Sequence, residues 1–316
     1  MSDPAPNGNP PRRFWLLAPF FAILLALAAV CAGWWYVRLQ IEDGLRSRAH
    51  DLGQRGYAVE LGPIAFGGFP YRMEVDLQQA RITTPSGWAL AFPELKGEAL
   101  LFDLGHWVFV APSGLVFTRP VGGDVVVTGT TLRASLAGMS APVPRFAFEG
   151  VDLRFSRAPG ARPFSLATAS RLELYTRTGV RDPKAAEALI RLEGGRLTSG
   201  TLASLLVRDH AFGGALSLRL TRFDAMRGES WSAAGRAWAA AGGRLEVDPT
   251  SPPEPDLQLS TPGGVLSFDP EGHPSGALPI QIAGPGGAHA FLAPLAFDDG
   301  KTRLGPLTLG PAPRAF

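Results

Sequence analysis

Arg72-Met73-Glu74-Val75-Asp76-Leu77 alternates polar and apolar side chains without a break. Successive side chains of a β-strand point to opposite faces, so this stretch reads as a strand with one face buried and one in water. The residues just before it, Phe66-Gly67-Gly68-Phe69-Pro70-Tyr71, read as the corner that opens the strand. Two glycines permit a tight backbone turn, Pro70 fixes the entry, and Phe69 and Tyr71 offer large apolar faces at strand spacing. Arg72 then projects opposite Tyr71. Phe69, Pro70, Tyr71 and Arg72 have two readings, a structural corner or the lip of a site for an apolar ligand.

Outward from this strand the alternation recurs at residues 132–136, 146–155, 172–175, 216–220 and 257–259. Turn signals separate the segments: Thr84-Pro85-Ser86-Gly87, Pro120-Val121-Gly122-Gly123 and Pro159-Gly160. Val125-Val126-Val127 is a continuous β-branched run, as in a strand buried on both faces. Short strands at this spacing predict antiparallel hairpins and not the strand–helix alternation of a nucleotide-binding sheet. The expected fold class is mainly β, a curved or rolled antiparallel sheet with a few short helices, behind an N-terminal transmembrane helix. Asp182-Pro183 supplies a cap and a first-turn proline for one helix carried by residues 185–192. Residues 201–207 suggest a second. Residues 229–241 suggest a third, with Trp231 and Trp238 seven apart on one face and Gly242-Gly243 at its end.

Toward the N-terminus, residues 14–37 form an apolar run free of charge, with Arg12 and Arg13 directly before it. A bilayer core needs about 20 apolar residues in a helix. Paired arginines keep the preceding end in the cytoplasm, and Trp34, Trp35 and Tyr36 close the run as an interfacial aromatic belt does. Three alternatives stand at this level: a cleaved signal peptide, whose apolar core is shorter; a lipoprotein site at Ala28-Ala29-Val30-Cys31, where Val30 is too large for its position; and a buried soluble helix, against which the length and the basic flank argue. The division expected is a cytoplasmic tail at 1–13, an anchor at 14–37 and a juxtamembrane helix at 38–56. A periplasmic β-rich domain at 57–316 follows, divisible into two lobes at a linker near 249–255. Glu42 and Arg46 stand at the spacing of a helix-surface ion pair. The protein is thus expected in the inner membrane, single-pass, with its bulk in the periplasm.

Composition excludes several functions. The only cysteine, Cys31, lies inside the apolar run, so neither an internal disulfide nor a cysteine metal site is available. A net charge of +2 with basic residues scattered singly argues against nucleic acid as a partner. The five histidines have no metal-ligand spacing; Asp209-His210 is a weak dyad, and His106 reads as an edge position. No nucleophile elbow, Walker loop or dinucleotide fingerprint occurs. Gly284-Pro285-Gly286-Gly287 and Asp298-Asp299-Gly300-Lys301 read as turns. The expectation is a protein that is not an enzyme and takes no cofactor or metal.

The basic N-terminus and anchor, the Gly-Phe-Pro-Tyr-Arg stretch at Gly68 to Arg72, and the Trp-x-x-x-Gly-type helix between Trp231 and Gly243 occur together here. With them comes an ending that runs from Asp299-Gly300-Lys301 through Leu304-Gly305-Pro306-Leu307-Thr308-Leu309-Gly310-Pro311. In these features the chain resembles the DUF2125 family of uncharacterised alphaproteobacterial envelope proteins. More distantly it is similar to AsmA-like envelope proteins, whose curved sheets form grooves for lipids. The resemblance implies a membrane-anchored periplasmic protein and brings no catalytic residues. The expected function is binding or shielding a lipid or other apolar ligand at the inner membrane. The alternative is a structural or assembly factor with an envelope-protein partner, and an enzyme would need ionisable groups converging in one pocket.

Overall fold

In the computed structural model, residues 14–199, 211–249, 257–283 and 291–316 are described. A 41-residue helix, α1 (Phe14–Gln54), combines the apolar run and the charged segment after it in one element, with Pro19 inside. Glu42 and Arg46 pair on its surface at 2.7 Å. The apolar part meets the test for one membrane-spanning helix and is not covered by the rest of the chain, consistent with single-pass anchoring. Arg12 and Arg13 lie outside the described residues.

Nineteen described strands form one sheet. β1 (Ala58–Glu60) and β2 (Ile64–Gly67) share one side of β3 (Arg72–Thr83), and β4 (Ala89–Leu100) takes the other. β5 (Asp103–Val110) and β6 (Leu115–Arg119) run in line along β4. β7 (Gly123–Thr128) and β8 (Thr131–Ala137) run in line beyond them, beside β9 (Arg145–Arg157). The meander continues through β10 (Leu166–Thr178), β11 (Ala186–Leu197) and β12 (Phe212–Leu220). It ends with β13 (Arg244–Asp248), β14 (Leu257–Ser260), β15 (Gly264–Phe268), β16 (Pro274–Ala283), β17 (Phe291–Asp298), β18 (Lys301–Leu304) and β19 (Leu307–Pro311). Every pairing is antiparallel except β12 with β14.

The sheet is creased. Gln79 in β3, Asp152 in β9 and Gly194 in β11 all have left-handed φ, at 55°, 52° and 58°. The interruptions between β5 and β6 and between β7 and β8 fall on the same line across the strands. Each bulge shifts the apolar alternation by one residue without changing the face: Val75 and Leu77 give way to Ala80 and Ile82, and Phe146 and Phe148 to Leu153 and Phe155. Bulges bend a strand and increase its twist. A buried cluster sits on this crease, with Val125, Val127, Leu132, Leu153 and Ala169 packed by Phe92, Leu95, Phe148, Phe155 and Leu172 from both sides of it. Polar side chains stitch the line, Thr130 Oγ1 donating to Asp152 at 3.1 Å and Ser170 Oγ to the Glu193 carbonyl at 2.8 Å.

Three sequence expectations need correction. Residues 185–192 are not helical; they enter β11, because Ala186, Ala188, Ile190 and Leu192 also fit a period of two and find partners on both β10 and β12. Asp182 caps a turn instead, accepting from the Lys184 amide at 2.9 Å. Val125 and Val127 are buried, but Val126 is only half-buried, so β7 is not covered equally on both faces. His106 lies on interior strand β5 and not at an edge. The third expected helix forms as α2 (Trp231–Ala240), capped by Ser230 Oγ accepting from the Ala233 amide. Trp238 is buried against Phe268, and a Cβ at Gly235 would stand 2.2 Å from the Phe316 ring, so α2 clamps the C-terminal tail. Asp299 and Gly300, both left-handed, make the tight β17–β18 turn. The helix expected at 201–207, the Asp209-His210 pair, the 284–287 turn and all of the 249–255 linker but Pro249 lie outside the described residues.

Candidate functional site: an apolar sheet face under the helix

The strand registers place one unbroken apolar row across eight strands. Val75 faces Gly97, then Phe109, Ala134, Phe148, Leu174, Ile190 and Leu216 in turn. A second row runs beside it through Met73, Ala99, Trp107, Leu136, Phe146, Thr176, Ala188 and Leu218. Gly97 keeps the surface low where the aromatics lie over it: a Cβ there would stand 3.0 Å from the Phe109 ring.

The opposite face is charged. Arg133, Glu149, Glu173 and Arg191 occupy one register row on successive lines. Glu149 is bound by Arg133 at 2.7 Å and by Arg171, and Glu173 by Arg171 at 3.0 Å and Arg191 at 3.3 Å. Hydrogen bonds from Arg171 and Arg133 hold the Glu149 carboxyl below the usual carboxylate range. Arg72–Glu98, Arg177–Glu187 and Arg219–Glu246 extend the pattern. Such pairs add little stability, but they identify the face that stands in water.

Across one end of the apolar face lies the second half of α1. Gln40, Ile41, Gly44, Leu45 and Arg48 of the helix and Val75, Leu77, Leu95, Trp107, Phe109 and Leu136 of the sheet line a crevice of about 330 Å³. Ligand pockets ordinarily measure ~300–1,000 Å³. Farther along the same face, Ile190, Leu192, Phe212, Leu216 and Ile280 line a second apolar hollow of about 290 Å³. A larger hollow of about 610 Å³ opens on the charged face, rimmed by His106, Arg145, Arg177 and Glu187 around Tyr175. Burial there pushes the Tyr175 phenol up, and Arg177 is already paired with Glu187. No group of three or more His, Cys, Asp or Glu suited to a metal ion occurs among the described residues.

The corner at residues 68–71 holds the helix to this sheet. Gly68 is left-handed, at φ 87°, and accepts the Arg72 amide at 2.9 Å. The Trp34 indole donates to the Arg72 carbonyl at 3.0 Å and meets the Phe69 ring edge-on at 5.9 Å. Arg38, the first charge after the apolar run, lies between the rings of Trp35 at 4.5 Å and Phe66 at 5.3 Å. The Arg72 side chain turns to Glu98 on the charged face, while Phe69 and Tyr71 remain exposed. Of the expected site residues, then, Phe69 and the Arg72 backbone meet Trp34, Trp35 is joined to Phe66 of the sheet through Arg38, and Tyr71 lines neither hollow. Of the residues that line the hollows, Val75, Leu77, Leu136 and Leu216 were legible one strand at a time by their alternation, Ile190 was read as helical and Trp107 and Phe109 gave no strand signal, and nothing local showed that they share a row.

A family model described as "Uncharacterized protein conserved in bacteria (DUF2125)" matches residues 34–293, and the chain belongs to that family. No curated protein and no solved structure matches it. The matched region begins at Trp34, the residue at which α1 first touches the sheet.

Proposed function

We propose that this chain is a non-enzymatic, membrane-tethered envelope protein whose apolar sheet face holds or shields a lipid tail or similar apolar ligand. The observation that carries the reading is the apolar row from Val75 to Leu216, with α1 over one end of it and a second apolar hollow open farther along. A sheet face of this kind needs a second layer or a ligand over it. The anchor delivers the domain to a bilayer, and Arg12 and Arg13 support a cytoplasmic N-terminus with the sheet on the periplasmic side. Native mass spectrometry of the full chain extracted in mild detergent tests the reading. Co-purified lipid released by a charge placed in the row supports it, and lipid-free protein from every extraction overturns it.

A second reading rests on β19. No described strand pairs with its outer edge, and Leu307 and Leu309 are exposed beside it. An open edge can accept a strand from another protein, which would make the chain an assembly factor. Photocrosslinking from position 307 in cells should then trap one defined envelope protein, and a clean absence of adducts removes this reading.

A further inference from the structure

We infer that the strand-end rim formed by Phe69, Tyr71, Leu100 and Phe102 inserts into the interface of the same bilayer that α1 crosses. Two adjacent turns build this rim. Arg72 pairs with Leu100 across β3 and β4, and the Leu101 amide donates to the Tyr71 carbonyl at 2.9 Å, so the two turns lie side by side. Four large apolar side chains stand in the open there: Phe69 is 48% exposed, Tyr71 75%, Leu100 40% and Phe102 81%. A water-facing turn has no use for such residues; the one carboxylate at the rim, Asp103, closes the second turn opposite Leu100 and can stay among the headgroups.

The helix fixes their height. Trp34 meets Phe69 and the Arg72 carbonyl, so the rim is level with Trp34 on α1. Trp34, Trp35 and Tyr36 end the apolar run, and Val37 is only about 4.5 Å farther along at 1.5 Å per residue. Aromatic side chains prefer this headgroup depth. The rim thus enters the leaflet beside the helix exit, and the crevice under residues 40–48 begins about 9 Å above it, within reach of a lipid drawn partly from the bilayer.

The inference rests on the proposed reading only for α1 as the anchor, and it stands whether or not the apolar face carries lipid. The test uses the full chain in liposomes, labelled with an environment-sensitive fluorophore on single cysteines. Native Cys31 reports the anchor; in a Cys31→Ser background, Phe102→Cys and Tyr71→Cys report the rim and Val121→Cys, exposed at the far strand ends, reports water. Lipids carrying a shallow spin label should quench positions 102 and 71 at least about twofold more than position 121, with a blue-shifted emission. Quenching at 31 by deep labels with 102 and 71 no different from 121 overturns the rim and leaves the anchor intact. No quenching at 31 overturns the anchor and the rim with it.

Discussion

Substituting Trp34 by alanine should release the second half of α1 from the sheet. The structure gives two contacts to lose, the indole hydrogen bond to the Arg72 carbonyl at 3.0 Å and the edge-on ring contact with Phe69 at 5.9 Å. A hydrogen bond of this kind contributes about 1 kcal/mol and an aromatic pair about 1 kcal/mol, so docking should weaken by about 2 kcal/mol, roughly thirtyfold. A helical segment of this length is marginal in water without packing, so undocking frays it. Hydrogen exchange of peptides within residues 40–54, read by mass spectrometry in detergent, should accelerate accordingly, with β10 and β11 unchanged. Trp34→Phe should lose only the hydrogen bond and show about 1 kcal/mol, and Phe69→Ala only the ring contact, also about 1 kcal/mol. Because the two residues touch, Trp34→Ala with Phe69→Ala should cost about 2 kcal/mol and not the sum of about 3. Exchange in Trp34→Ala less than about threefold faster than wild type, or full additivity in the double variant, would refute the reasoning.

Leu216→Asp places a carboxylate in the apolar row and should reduce co-purified lipid, whereas Ser217→Asp, one residue on and on the charged face, should leave it unchanged; equal losses would contradict the assignment of faces. Glu149 has a depressed folded pKa, so its contribution is complete above the ordinary carboxylate value of 4.5 and disappears as pH falls below that through the folded value. Urea midpoints measured from about pH 7 to about pH 3 should therefore fall less steeply for Glu149→Gln than for wild type. Gly68→Ala forces a left-handed residue at φ 87° and sets a Cβ 2.9 Å from the Arg72 carbonyl oxygen. It should destabilise the chain by about 1–3 kcal/mol, seen as a lowered Tm, and a neutral result would mean that the corner is not held as described.

The misread stretch at residues 185–192 shows how local and tertiary information differ. Asp182-Pro183 and the alanines after it carry real helix signals, and a helix reading satisfies every neighbour within five residues. Ala186, Ala188, Ile190 and Leu192 also alternate, and two flanking strands, one closing its pairs within 35 residues and the other starting at Phe212, decide for the strand. Propensity is a weak prior that such pairing overrides. Residues 231–240 had no competing strand pattern and folded as read. The corner at residues 68–71 was legible as a turn because glycine and proline act locally, while its contact with Trp34 spans more than thirty residues and left no local trace.

The sequence by itself determined the long apolar helix, the β class and the position of seven of the strands, since each depends on side chains a few residues apart: about 20 apolar residues, enough to cross a bilayer, or a short β run alternating at a period of two. Only the tertiary structure decided that the apolar halves of eight strands fall in one row. That outcome depends on register, and slipping one strand by a single residue would turn its apolar set to the charged face. The crease is of the same kind. Gln79, Asp152 and Gly194 are unremarkable where they stand in the chain, and they act together only because hydrogen-bonded strands bring them onto one line. The helix was readable as a helix; that it roofs a crevice and sets the sheet at the level of Trp34 follows from where the chain returns to meet it.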